Sequence, residues 1–164
     1  MGANTYNSDF VVWTEQQAVA LRQAARDGAN LPLDWDNLAE EIESVGRSER
    51  SEVKSLIANI LAHLLKRALS PAVHPRERWE SEIDYSRTLL RKRLTDSPSL
   101  RPALPEFVEG EIRHARRLAA RSLRTYGEDD AAEAAERVDL DLSADDVLDD
   151  GFYLPGTVFR REPD

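Results

Sequence analysis

Apolar positions recur at helical spacing along most of the chain. Phe10, Trp13, Gln17, Ala20 and Leu21 set the first stripe. It predicts a helix from about Ser8 to Arg26, capped by Ser8 or Asp9 and ended at Gly28. Leu38, Ile42 and Val45 set a second stripe behind a cap at Asp34, with Leu33 and Leu38 spaced as a hydrophobic staple. Val53, Leu56, Ile57, Ile60, Leu61, Leu64 and Leu65 set the strongest one. Between the second and third lies "GRSERSE", which has no apolar residue. Gly46 followed by Ser48 favours a helix end and a new cap there, with one long helix kinked at Gly46 as the alternative.

The prolines of "SPAVHPRER" close the strong helix near Leu69. A further helix is expected from about Arg76 to Thr95, with Trp79, Ile83, Ser86, Leu90 and Leu94 on one face. "DSPSLRPALPE" makes a corner, and the next helix becomes regular around Pro105. That helix runs to Tyr126 with Val108, Ile112, Ala115, Ala119, Leu123 and Tyr126 inward, and Gly127 stops it. "DDAAEAAERV" suits a short helix, and "SADDVLDDG" carries a Ser143 cap, acids in the first turn and a Gly151 stop. The closing "FYLPGTVFRREPD" is expected to be extended. No segment alternates with the period of a strand. The expectation is an all-α fold: a helical bundle of four or five longer helices, about residues 8–126, with a small acidic helical appendage, about 127–164, packing on it as one domain.

Composition narrows the chemistry. At 164 residues, 41% hydrophobic and 32% charged, the chain fits one globular domain. With no cysteine, disulfides, thiolate metal sites and thiol nucleophiles are excluded. No apolar run approaches the ~18 residues of a membrane span, so a cytoplasmic protein is expected. The net charge of −9 is unevenly spread: −5 over residues 1–65, +6 over 66–126 and −10 over 127–164. A basic middle between acidic flanks raises nucleic acid as a partner, but also predicts that the flanks fold back on the middle.

The stretches "DFVVWTEQQAVALR", "LDWDNLAEEIESVGRSERSEV", "ILAHLLKR" and "SPSLRP", with the closing "LSADDVLDDGFYLP", resemble the bacterial family called domain of unknown function 29. The resemblance spans nearly the whole chain. It implies a compact, mainly helical bacterial protein and brings no activity with it.

Carboxylates and imidazole can ligate metal or exchange protons, so Glu40, Glu41 or Glu43 with His63 is the first candidate site. If one helix runs through Gly46, Glu41 and His63 stand ~33 Å apart; if the chain folds back there, they still miss by ~18 Å. A solvated acidic face and a packed boundary histidine are the simpler readings. Glu111 and His114 have the Glu-x-x-His spacing of di-iron bundles, but in a single copy and away from the inward stripe. Arg113, Arg116, Arg117, Arg121 and Arg124 form an outward basic face without interleaved aromatics, which disfavours nucleic acid and favours pairing within the protein or with a partner. Trp13, Trp35 and Trp79 fall at stripe or helix-start positions, where packing is their expected role. No nucleophile elbow, phosphate loop or dinucleotide fingerprint occurs. The balance favours a non-enzymatic helical module that binds a protein partner or itself, with no cofactor and no metal. The alternative is a small-molecule- or metal-binding protein or enzyme with a pocket near Glu41, His63 and Trp79.

Overall fold

The computed structural model describes residues 2–155. Among them are seven α-helices and no strand: α1 Gly2–Ser8, α2 Phe10–Arg26, α3 Trp35–Leu69, α4 Arg76–Asp96, α5 Leu104–Thr125, α6 Asp129–Arg137 and α7 Ala144–Leu148. A 3-10 turn, Pro98–Ala103, joins α4 to α5. The fold is all-α. Residues 152–155 lie outside any helix; the rest of the closing stretch, expected to be extended, lies outside the described residues.

The chain forms two compact units, and α3 and α4 each contribute to both. The first unit takes the residues up to Val53 and Lys92–Ala103. Its organising event is the start of α2. Asp9 caps the helix by accepting from Val12 N at 3.0 Å, and its carboxylate also accepts from Ser99 N at 2.7 Å and Ser99 Oγ at 2.9 Å. The Val11 N–H, another donor left over at a helix start, is taken by buried Ser97 Oγ at 3.3 Å. The "DF" of one sequence stretch and the "SPS" of another are thus two halves of one cap.

The break expected at Gly46 does not occur: α3 runs unbroken for 35 residues. Gly46 is buried, and a Cβ there would overlap Thr14 Oγ1. The glycine therefore brings two helices together rather than ending one. The same contact explains a second departure. The buried residues of α2 are Val11, Thr14 and Ala18, one position on from the expected Phe10, Trp13, Gln17 series. Thr14 faces α3 at Gly46, while Tyr6, Phe10 and Trp13 gather together, Tyr6 and Trp13 edge to face with ring centroids 4.9 Å apart.

The second unit takes Lys54–Arg91 and the residues from Leu104 onward. It holds most of the core. Leu56, Ile57, Ile60, Leu61, Leu64 and Leu65 of α3 are buried, as are Trp79, Ile83 and Leu90 of α4. Ala115, Ala119 and Ala120 of α5 are also buried, as are Ala131, Ala132 and Ala135 of α6, small residues that let those two helices lie close. Tyr126, expected inward, is 66% exposed, because α5 ends at Thr125 and Gly127 turns the chain at φ +75°. The C-terminal segment is fixed by a buried cation. Arg87 is fully buried and donates through Nε to Val147 O at 2.9 Å and through Nη2 to Phe152 O at 2.9 Å and Asp146 O at 3.3 Å. Ser143 and Asp146 form a capping box at α7, as its sequence predicts.

Candidate functional site

Four places in the molecule concentrate chemistry. The first is a crevice of about 190 Å³ in the first unit, lined by Thr14, Glu15, Glu43, Gly46, Arg47 and Arg50. Helix α2 supplies Thr14 and Glu15, and one face of α3 supplies the rest at three- and four-residue steps. Its charges are matched. Arg22 grips Glu43 with both terminal nitrogens, the Nη2 to Oε2 contact being 2.9 Å, and Arg50 pairs with Glu15. Arg47 reaches Glu40 at 2.6 Å and Glu43 at 3.8 Å. The Arg22 guanidinium holds the Glu43 carboxyl below its ordinary value, and Glu43 in turn raises Arg22. Every acid and base that lines the crevice thus stands in an ion pair.

The second place is the surroundings of His63. The structure places exposed Glu41 in the first unit and His63 in the second. It does bring His63 into the neighbourhood of Trp79, through Lys66. His63 is half-buried, and its Nδ1 lies 2.8 Å from Asn59 O, which requires Nδ1 to be the protonated nitrogen and leaves the lone pair on Nε2. Burial and Lys66 push the imidazole pKa down, against the Asn59 carbonyl and Glu82. One turn on, Lys66 is 9% exposed with its ammonium 5.6 Å from the centroid of the buried Trp79 ring.

The third place is the basic face of α5. Arg116 approaches Asp139 at 3.8 Å and Arg124 pairs with Glu136 at 2.8 Å, so part of the face is used within the unit. Arg113, Arg117 and Arg121, spaced four residues apart, are exposed and take part in no ion pair among the described residues. Exposed His114 meets half-buried Glu111, Nδ1 to Oε2, at 3.3 Å. No group of three or more potential metal ligands occurs among the described residues.

The fourth place is apolar. The second stripe of the sequence was expected to face inward, yet Leu38 is 39% exposed and Val45 44%. Leu31 at 60% and Leu33 at 45%, in the turn that leads into α3, are open too. The inner side of α3 here is instead Ala39, Glu43 and Gly46, the side that meets α2 through Thr14 and Arg22. Exposed Glu41 and Glu52 flank the Leu38–Val45 line on the helix surface, and neither has an ion pair among the described residues.

The Asp9 cap, the Gly46 crossing and the charge-matched crevice all fall on the sequence stretches that resemble a known family, and residues 5–153 match the family described as "Domain of unknown function DUF29". The chain belongs to that family. A solved member of the same fold is an alpha-helical protein of unknown function from Rhodospirillum rubrum, determined at 1.45 Å. It is 32% identical to this chain with a TM-score of 0.72, over 97% of this chain and 98% of that one. No curated protein matches. Among the described residues, no helix is long and apolar enough to cross a membrane.

Within this DUF29 chain, sequence reasoning missed Lys66 and Arg87. Lys66 sits at the end of the apolar run, and a lysine there could have been flagged for burial. Arg87 stands three residues from Asp84 in a polar stretch, and nothing local marks it as buried.

Proposed function

We propose that the chain is a non-enzymatic interaction module that holds a basic amphipathic segment of another protein on the apolar face of its first unit. The observation that supports this most is the open line of Leu38 and Val45 beside Leu31 and Leu33. In that unit the fully apolar interior among the described residues is small: Val11, Ala18, Ala39, Val53, Leu94 and Leu100. Large side chains left outside such a thin core suit a surface completed by a partner. Unpaired Glu41 and Glu52 along the same line favour a partner carrying lysine or arginine, and disfavour a second copy, whose own carboxylates would face them. The pairwise matching of charges in the crevice speaks against acid–base chemistry there.

Leu38→Glu and Val45→Glu baits, compared with the wild-type chain in affinity capture from a lysate of the source organism, test the reading. The wild type is expected to recover a basic partner at low salt, and both variants to lose it without a change in melting temperature. A wild-type chain that is strictly monomeric by native mass and recovers no partner at low salt would overturn it.

A further inference from the structure

The exposed side of α5 differs from a solvated helix face, which mixes lysine with acids. From Gly110 to Tyr126 its exposed charged side chains are all arginine; His114 and Tyr126 are exposed beside them, and no exposed aspartate, glutamate or lysine interrupts the run. Arg124 is held by Glu136, but Arg113, Arg117 and Arg121 have neither ion pair nor side-chain hydrogen bond among the described residues. Four residues apart, these three follow one another along the helix surface at ~6 Å steps of rise. Like charges at that spacing repel, so the row costs helix stability. Acids outnumber bases 31 to 22 in the chain, and the segment after α5 supplies Glu136 to Arg124 and Asp139 to Arg116, yet none reaches the row. Its counter-charge has to come from outside.

We propose that Arg113, Arg117 and Arg121, with Tyr126 beyond the end of the row, bind an acidic helix of another protein that carries carboxylates at four-residue spacing. Such a helix repeats its acids at the same ~6 Å, so that each guanidinium can fork onto one carboxylate. Arginine and tyrosine are enriched in protein interfaces, where lysine, glutamate and aspartate are depleted, and Tyr126 adds the flat apolar contact that a purely ionic surface lacks. The row is short, ~12 Å of helical rise, and acids follow in both directions: Glu106 and Glu109 near the start of α5, Asp129 and Asp130 at the start of α6, all exposed. A long polyanion or an anionic membrane would run onto those acids, whereas a short acidic helix ends before them. Nucleic acid is disfavoured further, because the exposed aromatic lies past the last arginine and not between arginines, where bases would stack. The surface lies in the second unit, so it stands apart from the apolar face proposed above for a basic partner.

The test titrates the full chain into a fluorescein-labelled synthetic helix of alanine and glutamine with glutamate at every fourth position, read by fluorescence anisotropy at low ionic strength. A peptide of the same composition with the glutamates off that spacing, and a single-stranded oligonucleotide of equal charge, are run beside it. The expected result is saturable binding of the patterned peptide that weakens as salt is added, with weaker binding of both comparison probes. Arg117→Gln is expected to bind the patterned peptide about tenfold more weakly, the loss of one charge-assisted contact, with a melting temperature unchanged or raised because a repulsion has been removed. Arg101→Gln, an exposed arginine off the row, and Leu38→Glu, on the first unit's apolar face, should leave binding unchanged. No saturable binding of the patterned peptide, equal binding by Arg117→Gln, indifference to glutamate spacing, or tighter binding of the oligonucleotide would overturn the proposal.

Discussion

The side chain of Thr14 occupies the space that a side chain on residue 46 would need: a Cβ on Gly46 would overlap Thr14 Oγ1 and stand 3.4 Å from Thr14 Cβ. The hydroxyl cannot easily turn aside, because it donates to Val11 O at 2.7 Å. Gly46→Ala should therefore destabilise the protein by roughly 1–2 kcal/mol, an overpacking cost partly offset by better helix propensity. Gly110 is the control. It lies inside α5 with nothing within 4 Å of an added Cβ, so Gly110→Ala should stabilise by about 0.5–1 kcal/mol. Urea midpoints of the two variants must move in opposite directions.

The Arg22–Glu43 pair sets an acid sensitivity. Glu43 has a lowered pKa in the folded chain, chiefly through its hydrogen bond from Arg22. In the unfolded chain it binds a proton at higher pH, so its contribution is complete above the ordinary carboxylate value and is lost as pH falls through the lowered folded one. Glu43→Gln should flatten the fall of melting temperature over that acid range while lowering stability at neutral pH. Melting curves from pH 7 to pH 3 for both proteins check this.

His63 acts in the other part of the scale with the same sign. Its folded pKa lies below the ordinary imidazole value, mainly through burial, so the unfolded chain takes up its proton first as pH drops. Stability should decline from just above the ordinary imidazole value down to the folded one, then level off with respect to this group. His63→Gln should remove that step, as chemical denaturation between pH 8 and pH 5 would show.

Arg87 should be intolerant of change. Its guanidinium serves three carbonyls of residues 146–152, and Arg67 and Arg87 both lie over the ring of Tyr153, 4.2 Å and 5.8 Å from its centroid. Arg87→Met keeps volume but strands the carbonyls, at a cost of roughly 3 kcal/mol or more. Arg87→Lys should rescue little, since a point charge cannot reproduce the fork. Hydrogen exchange should quicken over Ala144–Tyr153 first.

Helix starts and stops were legible because they are local. Gly28 and Gly127 have the positive φ their positions predict, and Asp9, Asp34 and Ser143 accept from the backbone of the helices they open. Facing was less legible. Leu38 and Val45 read as core because an apolar stripe has no sign for which side is covered, and Gly46 read as a break because its reason to be glycine lies on Thr14, 32 positions earlier. The candidate sites followed the same divide. Part of the α5 arginine pairing was foreseeable from charge layout, whereas Lys66 over Trp79 and the burial of Arg87 depend on contacts that cross between helices.

The carbonyl cage around Arg87 bears on how the chain is made. Its acceptors lie about sixty positions downstream, at 146, 147 and 152. While those residues are still inside the ribosome, α4 has a guanidinium with nothing to receive it and must keep it in water. Closure of the second unit's interior around Arg87 is therefore expected only after Phe152 has left the ribosome, with the acidic C-terminal segment docking late in folding and not as an accessory to it.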